Sequence, residues 1–303
     1  NCADRTFRLE AVVSAAYCVE RFPRYIKDAS RLRSIESRMD EGSVSEIDES
    51  LSVFPWTTLR SLNPSYDAKV TPVSVFNAFR LVLNLQSLVY RCDVSDYELS
   101  FEPFVPVISN FSTLSFLIGN KEGFHALLCD FFRGVTLPSL DTLKIRFIEP
   151  KHVRRIPLSD SGVISTLKLT PSVHTFTLSE LWASVPRDYT EEPPKTLHKT
   201  VTDTLLQGLK APIFDSNVFS AQTPLLPKLG SFKLAVQSHF DADQAFVEMV
   251  KSRWIGDTCS EKLRTAVLHV VNRKLVEGVY EPPKRLDEEG VMVTVCGNGI
   301  RVV

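Results

Sequence analysis

Glycine is scarce in this chain: 12 of 303 residues, against a usual share of ~7%. Phosphate cradles and oxyanion holes made of backbone N–H groups draw on glycine for tight turns and close approach. The shortage therefore counts against an enzyme of that kind, and no G-x-S-x-G elbow occurs. The cysteines Cys2, Cys18, Cys92, Cys129, Cys259 and Cys296 stand far apart, with no C-x-x-C. That excludes a zinc ribbon or a thioredoxin-type motif and points to reduced thiols in the cytoplasm or nucleus. The histidines show no H-x-x-x-H spacing, so no catalytic, cofactor or metal site is expected. Net charge is −1, which gives no global pull toward nucleic acid or an anionic membrane. No apolar run approaches the roughly 20 residues that span a bilayer.

What the chain does contain is a repeated phrase. It places apolar residues at offsets 0, 3 and 5 and Ser or Thr at offset 2. Copies are Leu85-Gln-Ser-Leu-Val-Tyr90, Phe111-Ser-Thr-Leu-Ser-Phe116, Leu140-Asp-Thr-Leu-Lys-Ile145, Val173-His-Thr-Phe-Thr-Leu178, Leu229-Gly-Ser-Phe-Lys-Leu234 and Leu263-Arg-Thr-Ala-Val-Leu268. Weaker copies stand at Leu32-Arg-Ser-Ile35 and Trp56-Thr-Thr-Leu59. The first intervals are 26, 29 and 33 residues, and the next is 56, twice 28. Leucine-rich repeats have a period of roughly 20 to 29 residues and apolar residues at these same offsets. Their pattern also asks for Asn or Cys at offset 8, where this chain has Asp93, Gly119, Ile148, Leu181, Gln237 and Val271. The asparagine ladder that satisfies buried loop backbone is missing, so these loops must find hydrogen bonds elsewhere.

Between the phrases lie segments with helical spacing: 72–79, 124–132, 200–209 and 241–250. Strand, loop, helix and loop make one repeat. The expectation is an α/β fold: an irregular leucine-rich-repeat solenoid with a parallel sheet on the concave face and helices on the convex face. Residues 1–50 read as a helical and loop cap, and 51–303 as one continuous repeat domain. Gly297-Asn-Gly299, between two β-rich runs, reads as a hairpin or chain-end turn. His239-Phe-Asp-Ala-Asp243 reads as a helix N-cap rather than a metal cluster. Closure of the βα units into a barrel enzyme is a weaker alternative. The residues after Tyr90, Phe116, Ile145, Leu178 and Leu234 lack the carboxylates and glycines such a site uses.

In such strands offsets 2, 4 and 6 point away from the core. They hold Arg91, Lys144, Arg146 and Lys233 and no acidic residue. These four are the expected partner-binding strip, suited to an acidic segment of a protein. Ordinary solvated strand residues would look the same.

The C-terminal part carries a more specific pattern. Phe246-Val-Glu-Met-Val-Lys-Ser-Arg-Trp254 leads to Leu263-Arg-Thr-Ala-Val-Leu268, and Asp287-Glu-Glu-Gly290 precedes the last strand. Leu137-Pro-Ser-Leu140 and Leu226-Pro-Lys-Leu229 lead into strands. Over residues 50–303 this resembles the F-box and leucine-rich-repeat family expanded in mushroom-forming fungi (basidiomycetes). There an "SRW" helix precedes an "L-R-x-x-x-L" strand and a short "L-x-x-E-G" end. The resemblance implies the substrate-recognition arm of a Skp–cullin–F-box ubiquitin ligase adaptor, with no enzymatic activity of its own. Phe22-Pro-Arg-Tyr-Ile26 is a poor match to an F-box, so the Skp–cullin scaffold is a partner only if an F-box lies upstream. A repeat scaffold unconnected to ubiquitin is the alternative.

Overall fold

Each copy of the phrase opens a strand at its Ser or Thr, two residues later than the apolar residue that begins it. The computed structural model describes residues 7–12, 32–39, 60–66, 84–92, 107–118, 128, 131–147, 160–180, 201–211, 224–238, 240–255, 261–271, 273–288, 290–297, 300–301 and 303. The chain falls into two units, Asn1–Leu140 and Asp141–Val303. The expected helix at 72–79 lies outside the described residues.

The first unit holds β1 (Phe7–Val12), β2 (Leu32–Met39), β3 (Ser61–Tyr66), β4 (Ser87–Cys92), β5 (Val107–Ile108), β6 (Thr113–Ile118) and β7 (Val135–Thr136). Strands β1, β2, β3, β4 and β6 pair in that order, all parallel. Thus β1 and β2 fall where a helical and loop cap was expected. Strands β5 and β7 form a separate parallel pair. Recorded pairing of β3 with β4 stops at Leu62↔Leu88, two residues before Pro64, which has no N–H to donate. Inward residues Leu88, Leu114 and Phe116 are fully buried. Phe116, Phe131 and Phe132 meet edge-to-face, with centroids 5.2 to 6.0 Å apart.

The second unit alternates β8 (Thr142–Phe147), α1 (Asp160–Lys168), β9 (Thr175–Ser179), α2 (Asp203–Leu209), β10 (Ser231–Val236), α3 (Asp243–Ile255), β11 (Thr265–Val270), α4 (Glu277–Glu288), β12 (Met292–Gly297) and β13 (Ile300–Arg301). Strands β8 to β12 pair parallel in chain order. Helices packing each on the next complete the layer. This is what parallel neighbours need, since only a crossover can return the chain to the same end of the sheet. The hairpin expected at Gly297 is present as antiparallel pairing of β12 with β13. First and last strands do not pair in either unit, so the barrel alternative is corrected: the sheets are open. Both units are mixed α/β with mainly parallel sheets. Among the described residues no helix is long and apolar enough to cross a membrane.

Register follows from a hydrogen-bond device at the strand entrances. The carbonyl of Asp141 accepts from the N–H groups of both His174 and Thr175 (2.9 Å each). His174 O accepts in the same way from Gly230 and Ser231, and Gly230 O from Arg264 and Thr265. The first unit repeats it: Arg60 O takes Gln86 and Ser87, and Gln86 O takes Ser112 and Thr113. Strand entry is further set by turns with proline at their second position, closed by Leu140 N→Leu137 O, Val173 N→Thr170 O and Leu229 N→Leu226 O. Proline presets φ for that position.

Inward residues then stack across strands. Leu143, Phe176, Phe232, Ala266 and Val293 form one fully buried row. Phe176 stacks on Phe232 (5.9 Å, 25°), and Phe232 meets Phe246 of α3.

The missing asparagine ladder is replaced piecemeal. Gln237, at offset 8, donates its side-chain amide to Glu180 O (3.3 Å). From α3, Ser252 Oγ accepts from Ala211 N (3.2 Å). Fully buried Arg253 donates to Leu209 O (2.6 Å), Leu226 O (2.8 Å) and Leu225 O (2.5 Å). It thereby satisfies the C-terminal end of α2 and the turn before β10. In that turn Leu226 adopts a left-handed conformation, φ 53, which costs an ordinary residue about 1–2 kcal/mol.

Two stability comparisons check this packing by urea unfolding. Phe176→Ala empties a fully buried, stacked position and should cost about 3–5 kcal/mol. Its outward neighbour Thr177→Ala should cost under about 0.5 kcal/mol. Equal losses would mean the strand faces are inverted. Arg253→Met strips donors from three carbonyls and should cost about 3 kcal/mol or more, whereas exposed Arg264→Met should cost under about 0.5 kcal/mol.

Candidate functional site

Outward residues of the second unit form rows across the strands. The first row is Thr142, Thr175, Ser231, Thr265 and Met292, so the phrase's hydroxyl residues lie side by side. Unit one has the same arrangement in Ser34, Ser61, Ser87 and Thr113. Small hydroxyl residues suit the face, because they leave room for a bound chain and offer both donors and acceptors.

The second row of the second unit is Lys144, Thr177, Lys233, Val267 and Thr294. The third is Arg146, Ser179, Ala235, His269 and Cys296, with Arg301 of β13 opposite Cys296. Every residue of these three rows is half-buried or exposed, and none is acidic. The alternation of β8 to β12 puts the neighbouring residues inside.

Three of the four expected site residues are thus brought onto one face. Lys144 and Lys233 share a row, separated by one strand, and Arg146 lies two residues along β8 from Lys144. The fourth, Arg91, belongs to β4 of the first unit, and its side chain lies outside the described residues. Sequence reasoning passed over His269, although it stands at offset 6 of its phrase, and Arg301, which no repeat signal marks.

Other basic groups in this unit are engaged in the fold. Lys210 pairs with Glu248 at 2.5 Å, and this hydrogen bond holds the Glu248 carboxyl below its ordinary range. Arg264 lies 3.4 Å from Glu261, which also bonds His174. Lys262 sits over the Trp254 ring. Arg273 bonds Phe240 O and the Asp243 carboxylate, and Tyr280 donates to the same carboxylate. Burial and that bond push the Tyr280 phenol well above its ordinary pKa. Asp243 stands in the first turn of α3, as an N-terminal acid was expected to, but its carboxylate ties α3 to α4. His239 lies outside the described residues. By contrast, among the described residues no carboxylate pairs with Lys144, Arg146 or Lys233.

One carboxyl has a shift of the kind found at catalytic sites. Asp160, which opens α1, has a pKa pushed up to about 6, chiefly by burial and only partly offset by a hydrogen bond from the Thr202 backbone. Its Oδ1 is buried with no hydrogen-bond partner. The shift comes from desolvation, not from a second carboxylate, and Asp160 belongs to a crossover helix rather than to the rows above. The arrangement is that of a helix-packing residue.

Comparison with family models, with curated proteins and with solved structures finds no match to the chain.

Asp160 gives a pH prediction. A carboxyl whose folded pKa is raised penalises folding once it ionises. The penalty is absent below its unfolded value near 4, grows as pH rises, and is complete above about 6. Asp160→Asn should therefore raise the melting temperature at pH 7.5 and leave it nearly unchanged at pH 3.5. A gain of the same size at both values would show that ionisation of Asp160 is irrelevant.

Proposed function

We propose that the chain is a protein-binding leucine-rich-repeat domain, an irregular α/β solenoid whose outward sheet face takes an acidic segment of a partner protein. The observation that carries this reading is the set of in-register rows. They pair a hydroxyl row with Lys144, Lys233 and Arg146 and hold no acidic residue. Repetition of one strand phrase with one entrance hydrogen bond supports the solenoid, because stacked repeats need only nearest-neighbour contacts. An extended face with one sign of charge steers and orients a partner more than it adds raw affinity.

The resemblance to the fungal F-box and leucine-rich-repeat family extends the proposal. The partner would be a substrate of a Skp–cullin–F-box ubiquitin ligase, and the chain its recognition arm, acting in the cytoplasm or nucleus without catalysis of its own. The Skp–cullin scaffold would bind through an F-box upstream of Asn1. A repeat scaffold with no link to ubiquitin would use the same face.

The test is affinity purification from source-organism lysate with the wild-type chain and with Lys144→Glu/Arg146→Glu. Exposed charges contribute roughly 0–1 kcal/mol to stability, so the variant should melt near the wild type. It should lose its protein partner, and the wild-type interaction should weaken as salt rises. Recovery of the same proteins in the same amounts would place the partner elsewhere. Ubiquitin-conjugated partners in the wild-type eluate favour the ligase arm over a plain scaffold.

A further inference from the structure

We infer that the Lys144–Lys233 row is spaced for a polyproline-II segment whose carboxylates recur at every third residue; this rests on the protein-binding reading above. The row's geometry is fixed by backbone pairing. Lys144 pairs with Thr177, and Thr177 with Lys233. Neighbouring strands lie ~4.8 Å apart, so the two lysine Cα atoms stand about 9.6 Å apart. A partner lying along this row crosses the strands.

Backbone accounting selects the partner's conformation. The N–H and C=O groups of β8, β9 and β10 are committed to their parallel neighbours, and only side chains reach the outward face. An extended strand laid here would find no backbone partners. Polyproline II needs none, since its backbone is solvated and makes no internal hydrogen bonds. Its repeat also matches: three residues at ~3.1 Å return a side chain to the same face after about 9.3 Å. In a β-strand the same-face repeats fall near 6.7 and 13.4 Å. In an α-helix the nearest same-face repeat, seven residues on, falls near 10.5 Å. Between the lysines, Thr177 offers a hydroxyl that can donate to a partner carbonyl. Arg146, two residues from Lys144 on β8, gives the lysine end of the row a second cation.

The charge pattern fits this occupant. Lys144 is half-buried and Lys233 exposed. Neither pairs with a carboxylate among the described residues, while Lys210, Arg264 and Arg273 of the same unit do. The first row contributes only hydroxyl groups and Met292, so a carboxylate approaching the lysines meets no repelling charge from it.

The test uses the full chain and two fluorescein-labelled proline-rich peptides of identical composition. One carries glutamates at positions i and i+3, and the other at i and i+1. Fluorescence anisotropy at low salt should show the i,i+3 peptide binding about fivefold tighter, the worth of one further exposed ion pair. That preference should vanish in Lys144→Glu and in Lys233→Glu. It should persist in Lys228→Glu, an exposed lysine in the turn before β10. Equal binding of both peptides, lost from both in the Lys144 and Lys233 variants, would overturn the spacing and leave the acidic-partner face standing. Binding of neither peptide above a glutamine-substituted control would overturn the face as well.

Discussion

A single carbonyl, at the second residue of each phrase, governs the rest of the second unit. Asp141, His174 and Gly230 each place that oxygen where two successive N–H groups of the next strand entrance meet it. The bond fixes where each strand starts relative to its neighbour. A slip by one residue would turn Phe176 and Phe232 to water and Thr177 and Lys233 into the core, so register and hydrophobic burial reinforce one another. Gly230 shows how tight the entrance is. A Cβ there would lie 2.1 Å from the His174 ring, so the repeat gives up a side chain at the point where the histidine crosses to Glu261.

Hydrogen bonding to the loops follows a different logic from that of a regular repeat. Where an asparagine ladder would serve every loop alike, this chain uses individual side chains. Gln237 serves one carbonyl, Ser252 one N–H and Arg253 three carbonyls. Arg273 serves Phe240 O while holding Asp243. A buried guanidinium is costly to desolvate, and its planar fork suits it to several acceptors at once. Irregular repeat lengths require solutions of this kind, since no single residue at one offset can reach loops of different shape.

Much of the sheet was legible in the sequence. Apolar residues at offsets 0, 3 and 5 marked the strands, and offsets 2, 4 and 6 do face outward. The strand start was read two residues early, because an apolar residue ahead of the strand, such as Leu140 or Val173, is buried as fully as those within it. Helix α1 escaped notice because Asp160-Ser-Gly-Val-Ile-Ser-Thr-Leu-Lys168 mixes glycine with β-branched residues. Helix α4 contains Pro282 and Pro283, a pair that reads as a loop. The turn at Thr170-Pro-Ser-Val173 was missed since Thr replaces the Leu of its two counterparts. The burial of Arg253 left no sequence signal, because arginine is ordinarily exposed. At the candidate face the lysines and Arg146 were found by offset alone. Their lack of carboxylate partners among the described residues required the fold.

The account places structure and recognition on the same backbone device, since the rows on the outward face exist only while the entrance bonds hold register. Native-state amide hydrogen exchange tests this most directly. His174, Thr175, Gly230, Ser231, Arg264 and Thr265 lie at strand entrances, where ordinary loop amides exchange quickly. If their shared carbonyls hold the stack, these amides should be protected as strongly as those of Phe176 and Phe232, and should open together with them. Rapid exchange at the entrances, with protection confined to the strand centres, would contradict it.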